Sequence, residues 1–503
     1  MKPIGSITNY FPFIEEGERE LILSLVEESS NYSDFVVRLC NHVMTVDSSG
    51  EMIFLAWHHL GSANYSFKAR EKFLDRFSQQ VWLRPEYTGW IMDTIDWDEH
   101  LKVVEETIAK SSNPLILFHL YLLKMNCIRG SSIGTLTEDE TIQCLIDLIQ
   151  NNPSLEFARS KVYLLEGERY ENESNPRKGM QVFESALQHT MKFNDVAIAS
   201  QIETNMAKIL SLTDPSKAME YIDSAATRAR DLGYLERKTD IFTVMGVIFD
   251  ARGEYDAATM SFEEALKITG KQDPLSSLRF VPSALSRSYR RMGKLEEALE
   301  WANISLTSKN MVSRLPSIGV HVLSNLCMSA ALSMLGRIED AKSYHDVGNE
   351  LALKVGIEVW LSDVHLSEGL IARAEGRFSD ALESFENALE IMEKLHRQGR
   401  MNECLNLLAE TEIQHYMETP ESDGLLALHW IGVMEEMARR KDLPGVLGLA
   451  LLQKARMLLL QGHDEESRAV LKQVKELSEN QGTTFLQDRI KLVASASNPR
   501  RRE

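Results

Sequence analysis

The sequence predicts an all-α fold, a right-handed α-solenoid of stacked helical hairpins. Three observations predict it. Only 13 prolines and 27 glycines occur in 503 residues, so helices meet few breakers. Alternating apolar and polar runs closed by turn pairs, the mark of strands, are hard to find. One composite pattern of small residues and aromatics returns about every forty positions.

The clearest copy of that pattern is GVIFDARGEYDAATMSFEEAL, from Gly246 to Leu266. Its nearest relatives are the segment from Ser286, with Tyr289, Gly293 and Ala298, and the segment around Gly369, with Gly376, Ala381, Phe385 and Ala388. Weaker copies lie around Gly167, Met206, Ser329 and Ala455. The marks from Gly167 to Gly369 stand 39, 40, 40, 43 and 40 residues apart, and Ala455 follows after 86. That last gap holds two units, so a degenerate repeat is expected near residues 400 to 440.

Each residue type has a physical reason at its place. Gly246 and Ala258, or Gly369 and Ala381, let two helix backbones approach closely, while Phe262 and Phe385 fill the space between hairpins and Ala265 and Ala388 complete the second-helix face. Gly253, Gly293, Gly336, Gly376 and Gly462 recur where a left-handed residue would end one helix and release the next.

This order of residues resembles the tetratricopeptide repeat (TPR) family over residues 155 to 480 or so. The period is longer than the usual repeat of about 34 residues. The lengthened units look like the sensor arms of large signalling ATPases and the peptide-receptor regulators of Gram-positive quorum sensing. Neither family's partner domain is apparent: there is no phosphate-cradling Gly-x-x-x-x-Gly-Lys-Ser/Thr loop and no convincing DNA-reading helix pair. The resemblance implies a groove lined by the first helix of each hairpin. Carried over position by position, that face holds Asp240, Thr243, Val247 and Asp250, then Phe280, Ser283, Arg287 and Arg290, then Asp363, Leu366, Leu370 and Arg373. The Lys and Asn arrangement with which some TPR cochaperones clamp a chaperone's C-terminal carboxylate is not matched.

Arg287, Arg290, Arg291 and Lys294 form a basic stripe, with Arg279 one or two turns before. Arginines in a concave face suit carboxylates, because each guanidinium donates two parallel hydrogen bonds. An acidic peptide or chain terminus is therefore one expectation for Arg287, Arg290 and Arg373, with Phe280, Asp240 and Asp250 beside them. Salt bridges to Asp240, Asp250 or Asp363 are the competing one.

Residues 1–150 read as a helical N-terminal region, a cap or effector module in which the repeat marks fade; 151–480 carry the repeats, and 481–503 form a last helix end and a basic tail. Four of the seven tryptophans, Trp57, Trp82, Trp90 and Trp97, fall in the first segment and read as core. Met245, Met260, Met328 and Met334 recur at helix-core spacing and read the same way.

The remaining chemistry is sparse. No His-Glu-x-x-His, Gly-x-Gly-x-x-Gly or Cys-x-x-Cys occurs, so no catalytic role, cofactor or metal is expected. His365 and Glu368 read as a helix surface pair rather than two metal ligands, and Asp93, Asp96, Asp98, Glu99 and His100 as capping chemistry. The net charge of -19, from 74 acidic and 55 basic residues, disfavours nucleic acid and anionic lipid as partners. Five scattered cysteines and an N-terminus without an apolar core point to a cytoplasmic protein. The expected function is a non-catalytic scaffold holding a peptide or protein segment in its groove; the alternative is a ligand- or peptide-responsive regulatory sensor acting through the N-terminal helices.

Overall fold

The computed structural model describes residues 2–60, 72–73, 76–77, 97–130, 136–172, 175–211, 213–232, 235–269, 280–307, 315–419, 422–481 and 483–495, and no strand occurs among them. The chain is all-α and built of helical hairpins. Trp82, Trp90, Asp93, Asp96, Arg279, the tail from Asn498 and the side chain of Trp97 lie outside the described residues. Among the described residues no helix is long and apolar enough to cross a membrane.

Two compact units result: Met1–Met206 with Tyr221–Lys238, and Ala207–Glu220 with Thr239–Glu503. The first unit contains α1 (Glu16–Glu28), α2 (Tyr32–Thr45), α3 (Gly50–Leu60), α4 (Trp97–Lys110), α5 (Pro114–Gly130), α6 (Leu136–Asn151), α7 (Arg159–Asn172) and α8 (Pro176–Phe193). Phe35, Leu39 and Phe54 share one core with Leu145 of α6, with Leu155 just before α7 and with Val162 of α7. The change of sequence pattern near residue 150 thus falls inside this unit. Trp57 packs on Phe73 at 5.6 Å between ring centroids, a core position.

The next three helices are α9 (Val196–Ser211), α10 (Pro215–Leu232) and α11 (Leu235–Arg252). In the second unit follow α12 (Tyr255–Thr269), α13 (Val281–Met292), α14 (Leu295–Thr307), α15 (Leu315–Met334), α16 (Ile338–Val355), α17 (Glu358–Ala374) and α18 (Phe378–Lys394). They are succeeded by α19 (Gln398–Glu418), α20 (Leu425–Arg440), α21 (Pro444–Leu460), α22 (Asp464–Gln481) and α23 (Thr484–Ser495).

One contact explains the repeat mark. A Cβ on Gly246 would stand 2.5 Å from Phe262 Cε1, and one on Gly369 would stand 2.6 Å from Phe385 Cε1. Gly167 faces Phe183 in the same way. In every case the ring lies sixteen residues after its glycine, so the first helix gives up a side chain to seat an aromatic from the second. Ala258, Ala265, Ala381 and Ala388 are fully buried around those rings. Where Ser286 replaces the glycine, its Oγ donates to the Ala298 carbonyl at 2.7 Å and ties the hairpin polarly.

The degenerate repeat is α19 with α20. Glu412 holds the small-residue place, 43 positions from Gly369 and from Ala455. It is 3% exposed, and burial pushes its carboxyl above the usual range. A longer turn ends at Gly424, whose φ of 71° is left-handed, and the buried Ala427 and Ile431 then take the alanine and aromatic places. Of the four methionines read as core, Met245, Met328 and Met334 are half-buried, but Met260 is 67% exposed because it lies on the outer face of α12.

Candidate functional site

α13 is nearly submerged. Ser283, Ala284, Ser286 and Ser288 are all buried, and such small residues let neighbouring helices come close. The arginines that follow are therefore carried inside. Arg290 is 6% exposed and ion-pairs with Glu403 of α19. Arg291 pairs with both Glu403 and Asp250 of α11, and the Ser288 hydroxyl donates to Asp250 at 2.9 Å. Arg400 holds Asp363 of α17 at 2.6 Å.

Burial by itself would raise the Glu403 carboxyl; Arg291, Arg290 and Arg400 outweigh it and hold the group well below the usual carboxylate range. Burial likewise opposes the Arg291 charge, yet Asp250 and Glu403 raise its pKa well above the ordinary value. Four first helices are thus joined by charge pairs at their inner ends. Close contacts to the backbone of α11 accompany these pairs: Asn402 Nδ2 donates to the Ala251 carbonyl at 2.8 Å, and a Cβ on Gly399 would stand 3.1 Å from Ala251.

Next to this network lies a cavity of 340 Å³. Four guanidiniums line it, those of Arg290, Arg291, Arg456 and Arg489, against two carboxylates, Glu403 and Glu410. The wall carries an excess of two positive charges in a chain whose net charge is -19. Leu407, Leu449, Leu452 and Leu492 supply apolar surface between the charges.

Glu410 is already occupied. It accepts from Asn406 at 3.1 Å and Gln453 at 3.2 Å, and pairs with Arg373 at 3.3 Å. Burial raises its carboxyl, and Arg373, Arg489 and Arg456 more than reverse that shift. Among the described residues the polar contact of Arg456 is to Met417 Sδ, at 3.7 Å. Burial lowers its pKa, Glu410 offsets this, and repulsion from Arg373 and Arg489 adds to the lowering. Arg489 donates to the Arg291 carbonyl at 3.4 Å, at the C-terminal end of α13, where a helix dipole favours a cation. Gly293 makes room: a Cβ there would stand 3.0 Å from Arg489 Nη2.

The residues singled out in the sequence fall in different places. Arg290 and Asp250 belong to the buried network and Arg373 to the Glu410 cluster. Arg287 lies beside the network and makes no ion pair among the described residues; its Nε is buried with no hydrogen-bond partner there, and burial, followed by repulsion from Arg400, lowers its pKa. Phe280 stands 42% exposed just before α13, and Asp240 is half-buried on α11. Glu403, Arg400, Arg456 and Arg489 were not singled out. Arg456 had a signal: the inner-face register around Gly369, transferred to Ala455, lands on Leu449, Leu452 and Arg456, all three in the cavity wall.

No family model matches the chain, and neither does any curated protein. Solved structures do resemble it. The chain is similar to a Rap protein complexed with competence and sporulation factor, at 9% identity and a TM-score of 0.43, over 80% of this chain and 99% of that one. It is similar to aspartyl phosphate phosphatase F from Bacillus subtilis at 11% identity and a TM-score of 0.45, over 72% of this chain and 94% of that one. The apo form of RapI gives 12%, 0.37, 67% and 96% in the same order. Likenesses this distant say nothing of what the cavity holds, because function sits in site side chains rather than in folds.

The charge excess has a consequence for stability. Arg456→Gln should leave the melting temperature of the ligand-free protein unchanged or raise it, since it removes a half-buried cation crowded by two others. Glu410→Gln should cost roughly 1 to 3 kcal/mol, because three guanidiniums lose their shared counter-charge. Parallel thermal melts check the contrast; equal losses from both changes would show that Arg456 is satisfied as it stands.

Proposed function

We propose that this chain is a non-catalytic interaction scaffold whose second unit takes an acidic segment of a partner protein into the arginine-walled cavity. The observation that carries this reading is the pair Arg456 and Arg489, which line the cavity yet have no carboxylate at ion-pair distance among the described residues. A partly desolvated guanidinium with no carboxylate at ion-pair distance is costly, and an incoming carboxylate satisfies it with two charge-assisted hydrogen bonds. The leucines beside it give an adjoining apolar side chain a surface to bury.

Arg290 and Arg291, with their carboxylates in place, set the position of α13 against α19; Arg287, at the network's edge, extends the basic surface. Neither role involves bond-making chemistry. A fluorescent peptide panel graded in acidic content tests the proposal. Affinity should rise with acidic content, weaken with salt, and fall at least about tenfold in Arg456→Ala/Arg489→Ala. Equal binding of acidic and basic peptides, or an unchanged affinity in the double variant, would sink it. Arg287→Ala is the gentler probe of the stripe, since Arg290→Ala also removes one of the buried ion pairs of Glu403.

A further inference from the structure

We propose that the group bound between Arg456 and Arg489 is a phosphomonoester dianion. This deepens the reading above and rests on it. The cavity wall carries four guanidiniums against two carboxylates, and the excess of two charges matches a dianion, where a single carboxylate would leave one cation unmatched. Glu410 acts on both arginines only from beyond ion-pair distance, because Asn406, Gln453 and Arg373 hold it in place. Arg456 comes from α21 and Arg489 from α23, so the two forks approach from different helices. A tetrahedral phosphoryl group offers two such forks three acceptor oxygens and close to two charges, where a carboxylate offers two oxygens and one charge. The apolar wall of Leu449, Leu452 and Leu492 accommodates the carbon side of the ester. The source is either a phosphorylated side chain of a partner or a free phosphorylated metabolite, and both present the same chemistry.

Titration calorimetry on the full chain distinguishes these cases, with O-phosphoserine, a phosphoserine peptide and the same peptide carrying glutamate as probes. The phosphopeptide should bind at least about tenfold more tightly than the glutamate peptide. Its affinity should fall as pH is lowered through about 6, where the phosphoryl group gives up its second charge. Arginine stays protonated throughout, and a glutamate peptide, titrating near about 4.3, should be insensitive in that window. Arg456→Gln/Arg489→Gln should abolish the difference between the two peptides, with Arg456→Gln alone serving as a variant expected to fold. Free O-phosphoserine binding as tightly as the phosphopeptide assigns the site to a small metabolite; a clear advantage for the peptide assigns it to a partner protein. Equal affinity of the phospho- and glutamate peptides, with no pH dependence, overturns the inference but leaves the scaffold reading standing. Failure of both peptides to bind ends the two together.

Discussion

Glu403→Ala should destabilise the second unit by roughly 3 to 5 kcal/mol, the range seen when one partner of a buried ion pair is removed. Glu403 is 3% exposed and pairs with Arg290 and Arg291 from the other side of the unit, 113 and 112 residues away in sequence. Alanine leaves two guanidiniums, each no more than 7% exposed, facing one remaining carboxylate, Asp250. The cost comes chiefly from those stranded cations rather than from the lost pair, so Glu403→Ala combined with Arg290→Met should recover part of it. Urea melts of the three proteins check both points; a loss below about 1 kcal/mol for the single change would mean that the arginines find water or other partners.

The same carboxyl gives stability a pH dependence of known sign. Its folded pKa lies well below the ordinary glutamate value because Arg291, Arg290 and Arg400 favour the charged form over the opposing effect of burial. A depressed folded pKa contributes stability that is fully present above the unfolded value, about 4.3, and is lost as pH falls through the folded one. Glu410 acts in the same direction. The stability of the second unit should therefore start to fall as pH drops through about 4.3 and go on falling to the lower folded values, and Glu403→Gln should remove much of that dependence.

Gly369→Ala should cost roughly 1 to 3 kcal/mol, although alanine is by itself the better helix former by nearly 1 kcal/mol. The new methyl would stand 2.6 Å from Cε1 of Phe385, whose ring is fully buried and cannot swing aside into solvent. Gly432 is the control. It lies on the exposed face of α20 with nothing within 4 Å of an added Cβ, so Gly432→Ala should stabilise by about 0.5 to 1 kcal/mol. Opposite signs for the two substitutions separate a glycine kept for packing from one that is not. If Gly369→Ala were also stabilising, the ring contact would not be what fixes the repeat. Phe385→Leu should relieve Gly369→Ala, since the smaller side chain vacates the clash.

The repeat was legible because its cause is local. Gly246 and Phe262 are sixteen residues apart on two helices joined by one turn, and that spacing recurs wherever the same contact is made. The inward direction of Arg290 and Asp250 was legible for the same reason. Their partners were not. Glu403 lies in the one repeat whose marks are replaced, with Glu412 at the small-residue place and a longer turn after it, so no register pointed to it. Arg489 sits in α23, beyond the repeats, and reaches the cavity only because Thr484 and Phe485 anchor that helix to Asp256 at 2.8 and 3.0 Å. Contacts between positions more than a hundred residues apart depend on how successive hairpins close on each other, which periodicity does not encode. Met260 shows the opposite limit: helix-core spacing places a residue on a face, but whether that face is covered depends on a neighbour.

The most direct measurement is the arginine Nε–H nuclear magnetic resonance spectrum of the full chain, with the signals of Arg456 and Arg489 assigned by substitution, during titration with an acidic phosphopeptide. Those two signals should shift together and saturate at one equivalent, while Arg337, an exposed residue paired with Asp340, stays in place. Saturable binding that moves exposed arginines and leaves Arg456 and Arg489 unchanged would contradict the assignment of the cavity as the site where a partner is held.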